Sequence, residues 1–237
     1  MFLILFLINT AAVFLSSITG KAIIRSFSND IKEINRLRTE ATTDALTHLL
    51  NRNGLEQAAG TAWAFCKRDM KKVGVILADI DYFKSYNDTL GHSEGDNILR
   101  RVADSIKSCF RRETDIIGRI GGDEFLIFLP EMNDDRVLEM AQSLSTSIIN
   151  LKVKTALENN SGDFLSISIG VATSTPQQDD LLIDLYKTAD EALYRAKRAG
   201  RNCISFHDKI IQIGAPMEAS FPVGVLSART ACRDNEN

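Results

Sequence analysis

The feature that most constrains this chain is the run TDIIGRIGGDEFLIFLP, Thr114 to Pro130. Two apolar, β-branched segments flank a pair of glycines and a pair of carboxylates. This reads as strand, tight turn, strand. Glycines at such a tip allow backbone conformations closed to other residues. Asp123 and Glu124 therefore stand at the tip of an antiparallel hairpin, and Phe125 leads the chain back to the core. Arg119, just upstream, is assigned no role beyond an internal salt bridge.

A second constraint is KVGVILADID, Lys72 to Asp81, a continuous apolar run ending in acids. Its length and composition predict a strand buried on both faces. A bare buried carboxylate is costly, so acids at its end are exposed, paired or bound to a cation. If the hairpin lies beside this strand, the acids at 79–81 and 123–124 converge on one sheet edge. Hard oxygen donors of that kind suit Mg²⁺, which accepts one or two carboxylates together with substrate phosphates. Paired metals of this kind would serve phosphoryl transfer.

The remaining elements alternate. Helical spacing is predicted over 53–70, 93–112, from Asp134 or Asp135 onward, and over 178–200, where Gly200 is a plausible stop. Strands are predicted over 163–173 and 202–206. The expected fold class is α/β: a central mixed β-sheet with a β-hairpin, flanked by helices, over residues 44–207. Residues 208–237 have no period and read as a loose tail.

The first residues differ in kind. FLILFLINTAAVFLSSITG, Phe2 to Gly20, has no charge and approaches the roughly 20 apolar residues that span a bilayer. Lys21, Arg25, Lys32, Arg36 and Arg38 follow it, which favours a cytoplasmic position for what comes next. Residues 1–23 are expected to be a transmembrane anchor. Ile24, Phe27, Ile31, Ile34, Arg38 and Ala41 keep a 3-4 spacing, so 24–43 is expected to be a short coiled-coil stalk.

Composition excludes some partners. The net charge of −3 offers no global attraction for a nucleic acid polymer. The four cysteines have no metal-ligand spacing and read as free thiols of a reducing compartment. A nucleotide is different, because a local site and a metal suffice. Downstream of Asp79, the run DIDYFKSYNDTLGHSEGD supplies Lys84 as a point charge for phosphate. Asn87 and Asp96 together offer the donor and acceptors that a guanine edge requires.

These residues carry a family resemblance. The segments DALTHLLNR (44–52), DIDYFKSYNDTLGHSEGD (79–96), RIGGDEF (119–125), SISIGVA (166–172) and ADEALYRAKRAGRN (189–202) match, in order, those of the GGDEF diguanylate cyclases. The resemblance implies a fold like that of nucleotidyl cyclases and the polymerase palm. It implies Mg²⁺, with Mn²⁺ able to substitute, on Asp79, the Ile80 carbonyl, Asp123 and Glu124. Asp123 and Glu124 would be catalytic, with Asp123 activating a ribose 3′-hydroxyl. Asn87 and Asp96 would read guanine, with His92 near the nucleotide. Lys84, Lys197 and Arg201 would hold the triphosphate, and Gly121 and Gly122 would admit it. Arg112 and Asp115, in RETD, have the R-x-x-D form of a product-inhibition site. The implied reaction joins two GTP into cyclic di-GMP, releasing two pyrophosphates, in a homodimer; the apolar first residues place the expected enzyme at the inner membrane of a bacterium. A non-catalytic GTP or cyclic di-GMP binding module is the alternative, and a cyclase for other bases is a third reading. His48 stands where the family usually has glycine.

Overall fold

The computed structural model describes residues 28, 30–33, 36–37, 39–154 and 164–213. The expected membrane span lies outside them. Among the described residues, no helix is long and apolar enough to cross a membrane. The described residues between 28 and 42 are helical and largely exposed, with Ile31 and Leu37 open to solvent.

From Arg52 the elements run α1 (Arg52–Arg68), β1 (Val73–Ile80), α2 (Phe83–Leu90), α3 (His92–Cys109), β2 (Ile116–Gly121) and β3 (Glu124–Pro130). They continue as α4 (Asp134–Ile149), β4 (Ile167–Ser174), α5 (Leu182–Arg198), β5 (Cys203–Phe206) and β6 (Lys209–Gln212). The six strands form one sheet in the order β2-β3-β1-β4-β5-β6. Only β4 and β5 pair in parallel, so the sheet is mixed, as expected.

Side-chain alternation explains the layering. Every residue of β1 is buried. Ile76, Ala78 and Ile80 join one core, with Ile98, Val102 and Ile106 of α3 and Val137, Ala141 and Leu144 of α4. Val73, Val75 and Leu77 join the other, with Leu55 and Trp63 of α1 and Leu185, Ala189 and Leu193 of α5. A strand with helices on both faces has no solvated side, which is why its sequence is a continuous apolar run. Asn51 and Asn133 cap α1 and α4, accepting from the Gly54 and Arg136 amides.

Two sequence expectations change. The tail was expected to be loose from 208, but Lys209–Gln212 pairs antiparallel with β5 as an exposed edge strand. Four residues with only one partly buried side chain give no apolar period to detect. The eight-residue helix α2 has too little apolar period to read from sequence; it buries only Phe83 and Tyr86.

Candidate active site

The hairpin packs where its acids matter. β3 pairs antiparallel with β1, and the register sets Asp79 opposite Glu124. The tip is Gly122 and Asp123, and the Ile80 amide donates to the Asp123 carbonyl at 3.3 Å. Gly122 has φ 52°, which only glycine adopts without strain. An added Cβ at Gly121 or Gly122 would meet nothing within 4 Å, so the turn is open on its outer side.

Helix α5 brings the cation. At Gly170 of β4, a Cβ would run into the backbone of Ala189 and Leu193, so the glycine lets α5 lie directly on the sheet. Gly170 pairs with Leu77, two residues before Asp79. Lys197, one turn beyond Leu193, thereby reaches Asp79, with Nζ 2.7 Å from Oδ2. Beside this pair lies a cleft of about 440 Å³ lined by Glu124, Asp190, Glu191, Tyr194 and Lys197 among others.

The electrostatics leave Asp79 short of positive charge. Burial raises its pKa, the Lys197 hydrogen bond opposes this, and Asp123 and Glu124 add repulsion; the result is a value of about 6. One lysine does not neutralise this group of carboxylates. Among the described residues, no three His, Cys, Asp or Glu side chains converge as a ready-made cage. A site of one or two carboxylates, a carbonyl and excess negative charge fits Mg²⁺, which takes its other ligands from water and phosphate.

Asp81 is a correction within the strand-end acids. It is buried, and its carboxylate accepts from Ser166 Oγ and Ser168 Oγ, both at 2.6 Å, and from the Asn202 amide at 3.0 Å. The chain has left β1 by this point, so Asp81 does not share Asp79's environment.

The other expected residues fall into two groups. Lys84 and Asn87 lie on α2, and His92 and Asp96 on α3. Lys84, His92 and Asp96 are exposed, whereas Asn87 is half-buried. Asn87 Oδ1 is buried without a hydrogen-bond partner, and a Cβ at Gly95 would collide with it. Gly95 thus seats Asn87 against α3, next to Asp96. Arg201 follows α5, its guanidinium carbon 4.5 Å from the Tyr82 ring centroid. Arg112 and Asp115 are not part of this edge. They precede β2, at the far end of the hairpin, on the order of 20 Å from its tip at about 3.3 Å per residue. There the Arg112 and Asp115 backbones and the Asp115 carboxylate close a turn, and Arg112 Nη1 donates to the Pro130 carbonyl at 3.3 Å. Burial raises the Asp115 pKa, with Arg112 opposing.

Arg119 has a definite partner that the sequence did not specify. Its Nε and Nη2 donate to the Gly122 carbonyl at 2.9 and 2.7 Å, and Nη1 pairs with Asp44 at 3.2 Å. Asp44 also accepts from the Thr47 amide and hydroxyl. His48, in the same loop, has φ 55°, the left-handed conformation that favours glycine.

The fold is a mixed α/β sheet flanked by helices, with strand-end carboxylates beside an open glycine turn. The chain belongs to the GGDEF family: the model described as "Diguanylate cyclase, GGDEF domain" matches residues 41–203. The diguanylate cyclase DosC of Escherichia coli strain K12 is 40% identical over 166 residues, covering 70% of this chain and 35% of DosC. The diguanylate cyclase DgcM of the same strain is 32% identical over 189 residues, covering 78% of this chain and 44% of DgcM. The chain thus spans less than half the length of these curated relatives. Among solved structures, the coiled coil and GGDEF domain of DgcB from Caulobacter crescentus, in complex with c-di-GMP, has a TM-score of 0.67 at 27% identity, covering 77% of this chain and 96% of that one. The active GGEEF domain of a Vibrio cholerae diguanylate cyclase has a TM-score of 0.57 at 31% identity, covering 65% and 94%.

Proposed function

We propose that this protein is a diguanylate cyclase, condensing two GTP into cyclic di-GMP with release of two pyrophosphates. The observation that carries the reading is the register that sets Asp79 opposite Glu124, beside Asp123 and the open glycine turn. Each 3′-oxygen attacks the α-phosphate of the other nucleotide, the α–β bond breaks, and pyrophosphate leaves. Asp123 takes the hydroxyl proton, assisted by Glu124. Asn87 and Asp96 read guanine, with His92 nearby, while Lys84, Lys197 and Arg201 hold the triphosphate. Mg²⁺, or Mn²⁺ in its place, supplies Lewis-acid stabilisation of phosphate charge when held by Asp79, the Ile80 carbonyl, Asp123 and Glu124.

One nucleotide per domain makes two copies necessary. Residues 24–43 serve as a dimerising stalk that raises the effective concentration of the second domain. Residues 1–23 anchor the chain in a bacterial inner membrane, with the catalytic domain on the cytoplasmic side. Arg112 and Asp115 form the site through which cyclic di-GMP inhibits the enzyme.

The deciding experiment incubates purified protein with Mg²⁺ and either GTP or ATP. Cyclic di-GMP from GTP is expected, with its loss in Asp123→Ala. Nucleotide binding without product would favour a non-catalytic module, and product from ATP alone would favour a cyclase for another base.

A further inference from the structure

The mechanism leaves one buried carboxyl group unused. Asp81 is only 3% exposed, yet among the described residues no basic side chain forms an ion pair with it; three hydrogen-bond donors hold it instead. Two are the hydroxyls of Ser166 and Ser168, at the start of β4. The third is the Asn202 amide, in the turn between α5 and β5. A carboxylate whose two oxygens accept from three separate donors fixes those donors relative to one another.

That turn needs fixing. Gly200, Arg201 and Asn202 are three successive residues at positive φ, 113°, 66° and 47°. Only the first is glycine. Non-glycine residues persist in this region only where their surroundings hold them there. The Arg201 amide donates to the Ala196 carbonyl at 3.2 Å, and the next amide, that of Asn202, donates to Asp81 at 3.0 Å.

The neighbouring residue completes the arrangement. Tyr82 is itself left-handed, at φ 58°. The Arg201 guanidinium lies over that ring, its carbon 4.5 Å from the centroid and Nη1 3.4 Å from the hydroxyl. The dipeptide Asp81-Tyr82 therefore holds one loop twice, by the backbone of Asn202 and by the side chain of Arg201.

We propose that Asp81 is a positioning residue, which seats the 200–202 turn so that Arg201 is presented on Tyr82 to the phosphates of the nucleotide. Asp81 is not a metal ligand; it acts through Arg201. The functional half of this proposal rests on the reading of Arg201 as a triphosphate contact.

The test uses Asp81→Ala, Asp81→Asn, Arg201→Ala and the Asp81→Ala/Arg201→Ala double variant of the full chain. Amide hydrogen exchange is expected to rise at least about tenfold at residues 200–203 in Asp81→Ala, with β1 and β4 unchanged. The KM for GTP should rise about tenfold with kcat within about threefold, because the lost contact is to bound substrate. Asp81→Asn keeps one oxygen acceptor and should be intermediate. The double variant should be no worse than the weaker single variant, since both remove the same contact. Unchanged exchange at 200–203, or single-variant effects that multiply, would overturn the proposal. If Arg201→Ala keeps the wild-type KM, the phosphate role of Arg201 fails and the functional half with it, while hydrogen exchange still decides whether Asp81 holds the turn. Should Asp81→Ala fail to fold, Asp81→Asn and Ser168→Ala carry the same comparison.

Discussion

Arg119 ties the hairpin tip to Asp44, at the opening of the domain: Nη1 lies 3.2 Å from Asp44 Oδ1 while Nε and Nη2 grip the Gly122 carbonyl. Burial disfavours the Asp44 charge, but the Thr47 and Arg119 hydrogen bonds outweigh it and hold its pKa below the usual carboxylate value. This contribution to stability is therefore present above the ordinary carboxylate range and lost as pH falls through the lowered value. Arg119→Lys should cost about 1–3 kcal/mol, because an ammonium cannot fork between Gly122 and Asp44. Urea unfolding measures it; a lysine variant of wild-type stability would refute the clamp.

Asp79 predicts the opposite sign. Its pKa rises from 3.8 to about 6, so the stability penalty for its ionisation grows as pH rises across that interval and is complete above it. Asp79→Asn should therefore stabilise the protein in EDTA at pH 7.5 by about 1–3 kcal/mol, less whatever the Lys197 pair contributed. The gain should vanish toward pH 4, while activity is lost. Melting curves from pH 4 to 8 test this, and lower stability of the asparagine variant at pH 7.5 would contradict it.

His48 occupies a left-handed position at φ 55° with its side chain exposed. Relief of about 1–3 kcal/mol of backbone strain exceeds the extra entropy that glycine loses on folding, about 0.5–1 kcal/mol. His48→Gly should raise the urea midpoint by an amount worth about 0.5–1 kcal/mol, and a lower midpoint would show that His48 makes a compensating contact.

Gly95→Ala should push Asn87 out of its seat and weaken binding of a fluorescent GTP analogue about tenfold, at a stability cost of about 1–3 kcal/mol. Gly60→Ala is the control. A Cβ there meets nothing within 4 Å, so the change should stabilise α1 by about 0.5–1 kcal/mol.

Arg112→Ala should abolish inhibition by cyclic di-GMP while leaving the initial rate with GTP near wild type, since this turn lies at the far end of the hairpin from Asp123. Progress curves with added product decide it, and unchanged inhibition would remove Arg112 from that role.

The local patterns of this chain determined most of its elements, the short α2 and the edge strand β6 excepted. Continuous apolar runs marked β1 and β3, 3.6-residue spacing marked every helix from α1 to α5 except the short α2, and adjacent glycines marked the hairpin tip, because each signal arises within a few residues. Even the convergence of two acid clusters was legible, conditional on the hairpin lying beside β1. What only the tertiary structure decided were relationships between residues far apart in the chain. Pairing in the β1–β3 register set Asp79 opposite Glu124. The absence of a Cβ at Gly170 let α5 deliver Lys197 to Asp79. The end of β1 sent Asp81 to two serines and the Asn202 amide, although it stands two residues from Asp79 and looks identical in sequence. Two aspartates on one strand end share a composition and a period. Their environments differ because packing, which acts across the whole chain, gives one a lysine and two neighbouring carboxylates and the other three hydrogen-bond donors.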